Sequence, residues 1–512
     1  MEAIVAILTW SWWRVGVTVV LYFVSLGFYR LFLHPLSRFP GPKLAAVTRW
    51  YEAYYDIVKD GQYTFKIEQM HRQYGPILRI SPHELHVSDP AFFETLYSYE
   101  GRWHKYDWAV NAWAAKYATI FTADHELHKA RRHPLSPFFS TSKVAAQQSL
   151  IRKHVQKLQN RLAGFTISGE TVNLGAATTA LTRDVANDFV LGKSYNSLDR
   201  DDFDFAQLIA SHGAGSMWRL SKHLRWVAPT MRSVPINWMI RFGDEGMKAF
   251  FGQLKENIKD TETLMTAAQH GSSAPSINTQ KRTVVHEILE SRLPPHEKAF
   301  VRVFEEVSTV TGAGFETTAS ALRLIFINLF SNAEILQRLR AELSIINPQS
   351  GGGPSLQELK RLPYLTSVLM EGLRLSPALG TRMARVSPDR TLRYGGWQIP
   401  AGTPVGMTVI LMHTDGTVFP DPWSFKPDRW MDPELRIKAE RSFAPFSRGT
   451  RICLGMNLAW AVMYMVVAGL AQRFDFQFED ATAEDFLCVS DQFSLGTRAK
   501  GSLKAFVSDH NA

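Results

Sequence analysis

One thiol in this chain is set where it could bind a metal. Cys453 lies in the run Phe446-Ser447-Arg448-Gly449-Thr450-Arg451-Ile452-Cys453-Leu454-Gly455, just ahead of a long apolar stretch that starts at Met456. A thiolate needs cationic or dipolar surroundings to stay ionised. A helix beginning at Met456 supplies a positive end, and Arg448 and Arg451 add charge. Gly449 and Gly455 let the backbone turn tightly and approach a flat group. The arrangement reads as a ligand loop for haem iron. The only other cysteine is Cys488, so there is no disulfide framework, and no C-x-x-C pair or H-x-x-x-H set offers a zinc site. A reducing, cytosol-facing location fits this cysteine usage.

Other chemistry-bearing residues sit on helical patterns. From Glu297 to Leu329 a long helical periodicity is interrupted by Thr311-Gly312-Ala313-Gly314-Phe315-Glu316-Thr317-Thr318, a poor helix interior. This fragment half-matches G-x-G-x-x-G, but no strand precedes it and the last glycine is absent, which excludes nucleotide binding. Leu362 to Pro377 carries Glu371 and Arg374 on one helix face, with Pro363 at its start. Ile77 to Val87 alternates around Pro82 as two short strands, and shorter strands and turns fill Thr391 to Val409. An apolar helix runs from Met456 to Arg473. Gly271 to Thr279 and Pro348 to Ser355 read as surface loops, and there is no internal repeat.

The run F-x-x-G-x-R-x-C-x-G resembles the ligand loop of the cytochrome P450 family, the haem-thiolate monooxygenases, and every fixed position is filled. The resemblance covers about Phe39 to Val507. It implies a mainly α fold with small β-sheets, preceded here by an N-terminal transmembrane helix, and haem b with Cys453 as axial ligand. Ala313, Gly314, Glu316, Thr317 and Thr318 match the family's A-G-x-[DE]-T run over the haem. There Thr317 steers a proton that Glu316 supplies. Glu371, Arg374 and Arg429, the last in Phe425-Lys426-Pro427-Asp428-Arg429-Trp430, match a buried ionic triad beneath the haem loop. Haem carries two propionates, and the resemblance sends Arg132, Arg385 and Arg451 to them. His128 stands where the family has tryptophan, and an imidazole still donates to a carboxylate. Phe446, Gly449, Ala313 and Gly314 complete the haem contacts.

From Ala3 to Leu33 the chain is almost wholly apolar, broken by Arg14 and Arg30, with Trp10, Trp12 and Trp13 near one end. It reads as a membrane anchor over 3–33, followed by a proline-rich hinge over 34–50 and a catalytic domain over 51–512. Val15 to Tyr29 alone spans roughly 22 Å as a helix, short of a hydrocarbon core of roughly 30 Å, so the tryptophan-rich part must reach the far interface. Arg30, Arg38, Lys43 and Arg49 follow the segment while Glu2 is the only charge before Arg14, which places the catalytic body on the cytosolic side of the endoplasmic reticulum. A cleaved signal peptide at Ser25-Leu26-Gly27 is the alternative, but no positive n-region precedes it.

With 45% hydrophobic and 21% charged residues, 32 Phe and 14 Trp, the composition is that of a globular protein with large apolar cavities or membrane contact. The net charge of +9 shows no basic run interleaved with aromatics, which excludes a nucleic-acid reader and suits anionic lipid or an acidic redox protein. The chain carries no flavin, nicotinamide or iron–sulfur fingerprint, so electrons from NADPH must arrive through a reductase, with cytochrome b5 as a second partner. Lys129, Arg131 and Arg448 are the docking residues expected from charge. His133-Pro134-Leu135-Ser136-Pro137-Phe138-Phe139-Ser140 resembles filamentous-fungal members of secondary metabolism, such as the trichodiene oxygenase group. This implies hydroxylation or further oxidation of an apolar terpenoid or polyketide-like molecule. Its cavity is expected from Trp103 to Thr122, Phe203 to Phe242, Val310 to Gly314, Ala378 to Met383 and Ser494 to Thr497. Two other classes compete: a haem-thiolate isomerase or dehydratase needing no reductase, and a haem sensor or carrier.

Overall fold

The computed structural model describes residues 2–270, 281–346 and 353–510. The expected loop Gly271 to Thr279, and all of Pro348 to Ser355 before residue 353, lie outside them. Helices used below are α1 (Glu2–Phe28), α2 (His125–Arg132), α3 (Leu174–Leu191), α4 (Phe205–His223), α5 (Phe300–Phe330), α6 (Pro363–Leu375), α7 (Val409–His413) and α8 (Met456–Arg473). The fold is mainly helical, as the sequence predicts. α5 runs through the core, and the apolar faces of α3, α6 and α8 pack on it through residues such as Leu181, Phe326, Leu369 and Val466, all fully buried.

The strands make small sheets. β1 (Ile77–Ser81) and β2 (Glu84–Val87) form the predicted antiparallel pair. They join β3 (His104–Lys105), β5 (Arg385–Val386) and β8 (Pro404–Gly406) in the order β1-β2-β8-β5-β3, with β4 (Val172–Asn173) belonging elsewhere. β6 (Leu392–Tyr394) and β7 (Trp397–Ile399) pair with each other, and β9 (Phe474–Phe478) pairs with β12 (Lys504–Asp509), whose other neighbour is β4. β10 (Ser490–Gln492) and β11 (Ser494–Gly496) form a hairpin turning at Phe493.

α1 ends in one π-helical turn, Tyr29–Leu33, and Trp12–Leu33 is long and apolar enough to cross a membrane, with none of it buried against the rest of the chain. Beyond it the proline-rich segment lies on β1. Arg30 donates to the Val47 carbonyl at 2.6 Å, Arg79 donates to the Arg30 and Pro82 carbonyls, both at 2.7 Å, and Phe39 stacks on Trp397. Side chain and backbone thus fix the base of the apolar helix to the sheet.

Candidate haem-thiolate site

The Cys453 loop is held by its own backbone. The Cys453 amide donates to the Phe446 carbonyl at 2.9 Å, closing a turn in which Ser447 and Gly449 take φ of +60° and +71°. A Cβ at Gly449 would fall on the carbonyl oxygens of Tyr97 and Ser98, so only glycine fits both the φ and the space. Gly455 differs from the expectation: its φ is an ordinary −85°, and a Cβ there would meet nothing within 4 Å. Phe446 packs towards Trp460 at 6.0 Å.

Cys453 is exposed, yet burial is the largest influence on its thiol and raises its pKa. The Gly455 amide, Arg132 and the Met456 amide act in the opposite direction. The helix start therefore does what the sequence predicts, but the cation is another one. Arg448 pairs with Glu94 at 3.0 Å and donates to the Glu440 carbonyl at 2.6 Å, while Arg451 donates to the carbonyls of Thr122, Ala123 and Asp124 at 2.6, 2.7 and 3.0 Å. Arg132 instead reaches across from α2 to the Ile452 carbonyl at 2.5 Å. Burial outweighs these contacts, and a coordinating metal deprotonates a thiol outright.

Beside this loop the protein gathers cations, with the Asp124 carboxylate acting on Arg451. His128 is buried and surrounded by Arg451, Lys105, Arg132 and Arg385, which together with burial push its pKa far down and keep it neutral. Burial and mutual repulsion hold Arg451 at about 9. The Arg385 Nη2 and Arg451 Nε atoms are buried and have no partner, a costly state for guanidinium donors. A doubly anionic edge suits this cluster, and haem propionates are such an edge. Donor set and orphaned atoms therefore fit haem. Lys105 was not foreseen: a lone lysine in a two-residue strand carries no motif, and only the register that sets it opposite Arg385 reveals it.

Above the loop, α5 is one unbroken helix from Phe300, not the interrupted pattern the glycines and threonines suggest. Thr317 Oγ1 donates to the Ala313 carbonyl at 2.9 Å, a back-bond that satisfies the hydroxyl inside the helix. Gly312 and Ala313 are exposed. Gly314 turns the other way, where an added Cβ would sit 2.9 Å from the Ala186 Cβ of α3, so its small size serves helix packing. Glu316 Oε1 is paired with Arg323, which also donates to Thr179 Oγ1 at 2.8 Å, and Glu316 Oε2 is buried without a partner.

Beneath the loop Glu371 is completely buried and accepts from Arg374 at 2.8 and 2.9 Å, Arg429 Nε at 2.9 Å, Trp430 Nε1 at 2.9 Å and the Lys426 amide at 2.9 Å. Arg374 spends its other donors on the carbonyls of His413, Pro422 and Ser424. His413, at the end of α7, is buried and held at about 3 by burial. Its Nδ1 bonds the Arg374 carbonyl and its Nε2 accepts the Ala444 amide, both at 2.9 Å, joining the triad to the chain that leads into Phe446. That histidine lies in no motif.

Parts of three of the regions expected to wall a cavity meet around Phe493. Trp113 stacks on Phe121 at 5.7 Å, and Trp113 and Trp218 meet Phe493 edge-on at 5.0 and 5.2 Å. Phe493 has a φ of +69°, held by Asp491 Oδ1, which accepts its amide at 2.9 Å, and by Gly380, whose amide donates to the Phe493 carbonyl at 3.0 Å. Ser376, just before Ala378, bonds Ser320 of α5 at 3.1 Å. Glu52, Asp56 and His223 are placed as a metal triad, but the Lys222 ammonium lies 2.9 and 2.5 Å from the two carboxylates and takes the cation's place.

Arg131, expected to dock a reductase, is buried and forms a two-pronged pair with Glu297 at 2.7 and 2.8 Å. It ties α2 to the turn that precedes α5 and presents nothing to a partner. Lys129 is exposed on the same helix.

Comparison with known proteins agrees with this geometry. The cytochrome P450 family pattern matches residues 50–501. The chain is 38% identical over 458 residues to cytochrome P450 monooxygenase tpcC of Cochliobolus heterostrophus, covering 88% of this chain and 86% of that one. It is 37% identical to tryptophan 6-hydroxylase fscE of Fusarium equiseti, covering 93% of both, and 35% identical to cytochrome P450 monooxygenase TRI4 of Trichoderma arundinaceum, covering 91% and 89%. A cysteine at a helix start, a nest of buried cations and family-wide similarity converge on one conclusion: the chain belongs to the cytochrome P450 family and is a monooxygenase of the haem-thiolate class.

Proposed function

We propose that this protein is a membrane-anchored monooxygenase of fungal secondary metabolism that uses NADPH, through a separate reductase, to hydroxylate or further oxidise an apolar small molecule. The observation that carries the reading is the Cys453 thiol at the start of α8 beside a buried cluster of cations, two of whose guanidinium atoms have no partner. Haem ligated there by a thiolate supplies dioxygen activation, because electron donation from sulfur favours O–O cleavage.

The chain's own residues divide the remaining work. Arg132, Arg385, Arg451 and His128 hold the propionate edge. Thr317 keeps its hydroxyl at the Ala313 carbonyl, where it orders a water in the exposed Gly312–Ala313 window. Glu316 is paired through Oε1 with Arg323, and its free Oε2 is the atom that takes up and passes on a proton. Trp113, Phe121, Trp218 and Phe493 shape an apolar wall for the substrate.

Terpenoid and polyketide-like molecules fit such a wall. The aromatic cluster, with the relative named tryptophan 6-hydroxylase, supports a flat aromatic substrate as a second reading. The decisive experiment is turnover in membranes with and without NADPH and with and without a cytochrome P450 reductase. Product that needs both supports the proposal; product without reductase points to an isomerase or dehydratase, and haem binding without any product to a sensor or carrier.

A further inference from the structure

Trp113 and Trp218 come from distant segments, yet both meet Phe493 edge-on, at 5.0 and 5.2 Å. Trp218 is only 2% exposed, and the Nε1 atoms of both indoles are buried without a hydrogen-bond partner among the described residues. An indole nitrogen can only donate, and a buried one normally has an acceptor. Stacking does not supply it. Phe121 lies along the Trp113 ring at an interplanar angle of 19°, whereas the N–H lies in the ring plane. A ring face such as that of Phe493 is a weak acceptor beside a carbonyl oxygen.

The surroundings fix these donors and set the charge of what they can meet. Phe493 keeps its φ of +69° because the Asp491 carboxylate accepts its amide and the Gly380 amide donates to its carbonyl. The Lys222 ammonium lies 4.6 Å from the centre of the Trp218 ring. A cation over an indole face draws on the electron density of the ring, which strengthens the in-plane N–H as a donor. The cations of the adjoining segments are already paired: Lys222 with Glu52 and Asp56 at 2.9 and 2.5 Å, Arg382 with Glu52 and Glu84 at 2.8 and 2.7 Å, and Arg219 with Asp60. What remains without a partner in the aromatic cluster is two neutral donors. Their match is a neutral oxygen, since burying a carboxylate or phosphate there would leave its charge uncompensated.

We propose that Trp113 and Trp218 donate hydrogen bonds to neutral oxygen atoms of the substrate, which is therefore an apolar molecule already carrying carbonyl or ether oxygen, neither a bare hydrocarbon nor an acid. The inference rests on the monooxygenase reading and narrows its substrate class. It also orders the chemistry: an enzyme that inserts oxygen, or one that condenses acyl units, acts before this one. With a hydrocarbon in place both N–H groups stay unpaired, and that loss is what the site discriminates by.

The test uses full-length holoenzyme, as wild type, Trp113→Phe and Trp218→Phe, which keep an aromatic ring and remove the N–H. Two matched pairs are titrated by the shift of the haem absorption band: nootkatone against its parent hydrocarbon valencene, and anthrone against its parent dihydroanthracene. Wild type should bind the ketone of at least one pair more tightly than the parent, and each substitution should cut that preference about 3- to 10-fold while the hydrocarbon's affinity stays close to that of wild type. The ratio is the readout, because a ring that merely packs affects ketone and hydrocarbon alike. A wild type without ketone preference in either pair overturns the inference. So does a preference that both substitutions leave intact, which would mean that the indoles rest on the Phe493 ring alone; one that survives a single substitution removes that indole from the site. If the variants do not fold, wild type decides by infrared spectroscopy of the bound ketone: a carbonyl band below its frequency in hexane supports the hydrogen bond, and a band at the hexane frequency excludes it. A wild type whose ferrous carbon monoxide complex lacks the thiolate absorption band brings down the haem reading and this proposal together. With the band present, a missing ketone preference counts against this inference alone.

Discussion

Asp491 is the residue at which charge, strain and the cavity wall meet. Its carboxylate accepts the Phe493 amide at 2.9 Å and the Thr64 hydroxyl at 3.2 Å. Burial, with a contribution from Asp56, raises it to about 6 against the opposing pull of Lys222 and Arg382. In the unfolded chain the same carboxyl ionises near 3.9. Between those values the folded protein holds a proton that the unfolded one has released, so this group's contribution is most favourable below about pH 4 and is lost as pH rises through about 6. The loss should reach about 3 kcal/mol at pH 7. Asp491→Asn keeps the acceptor for Phe493 and removes the charge. Urea denaturation from pH 4.5 to 7.5 should therefore show the variant gaining on wild type as pH rises; a difference that stays constant would refute this account of the site. Thr317 gives a second prediction at this scale. Thr317→Ala removes the hydroxyl bonded to Ala313 and should uncouple NADPH consumption from product, with peroxide released, while the carbon monoxide spectrum is retained. Unchanged coupling would take Thr317 out of the proton path.

At the scale of elements, the buried triad locks α6 to the segment that leads into the Cys453 loop. Glu371 is fully buried and its acceptors serve Arg374, Arg429, Trp430 and the Lys426 amide together. Removing Arg429 leaves the carboxylate short of one of its two cations, which costs about 3 to 5 kcal/mol in a buried pair. Arg429→Leu should lower the unfolding midpoint accordingly and reduce the haem content of purified protein, measured by denaturant titration and by pyridine haemochrome assay. The lock continues through His413, which bonds Arg374 on one side and Ala444 on the other. The E-x-x-R spacing and the later arginine were legible because a helix puts residues three apart on one face. His413 was not, since nothing local marks a histidine whose partners lie 39 and 31 residues away. The continuity of α5 across Thr311–Thr318 was misread for a related reason. Intrinsic propensity argues for a break there, but packing on α3, with Gly314 against Ala186, overrides it.

The whole molecule is a helical body fixed to an apolar helix by a few specific bonds. α1 has no burial against the body over Trp12–Leu33, whereas Arg30 bonds Val47 and accepts from Arg79. Truncation after Phe28 should move the protein from the membrane pellet to the supernatant and leave its carbon monoxide spectrum intact. Truncation after Leu33 severs both Arg30 bonds as well, and should lower the melting temperature by several degrees relative to the shorter cut, read by thermal denaturation. A protein that stays in the pellet after the first cut would show that another face holds the membrane.

Sequence alone determined what depends on local spacing: the Cys453 turn and the helix behind it, the acid and threonine of α5, the triad pattern and the apolar N-terminal helix. Each is written in residues close enough along the chain to share a turn or a helix face. The tertiary structure decided which charges meet. It put Arg132 rather than Arg448 or Arg451 at the thiol, buried Arg131 against Glu297, and set Lys105 opposite Arg385. Partners for a long cationic side chain are chosen by strand register and helix packing between distant segments, and no local pattern records that choice.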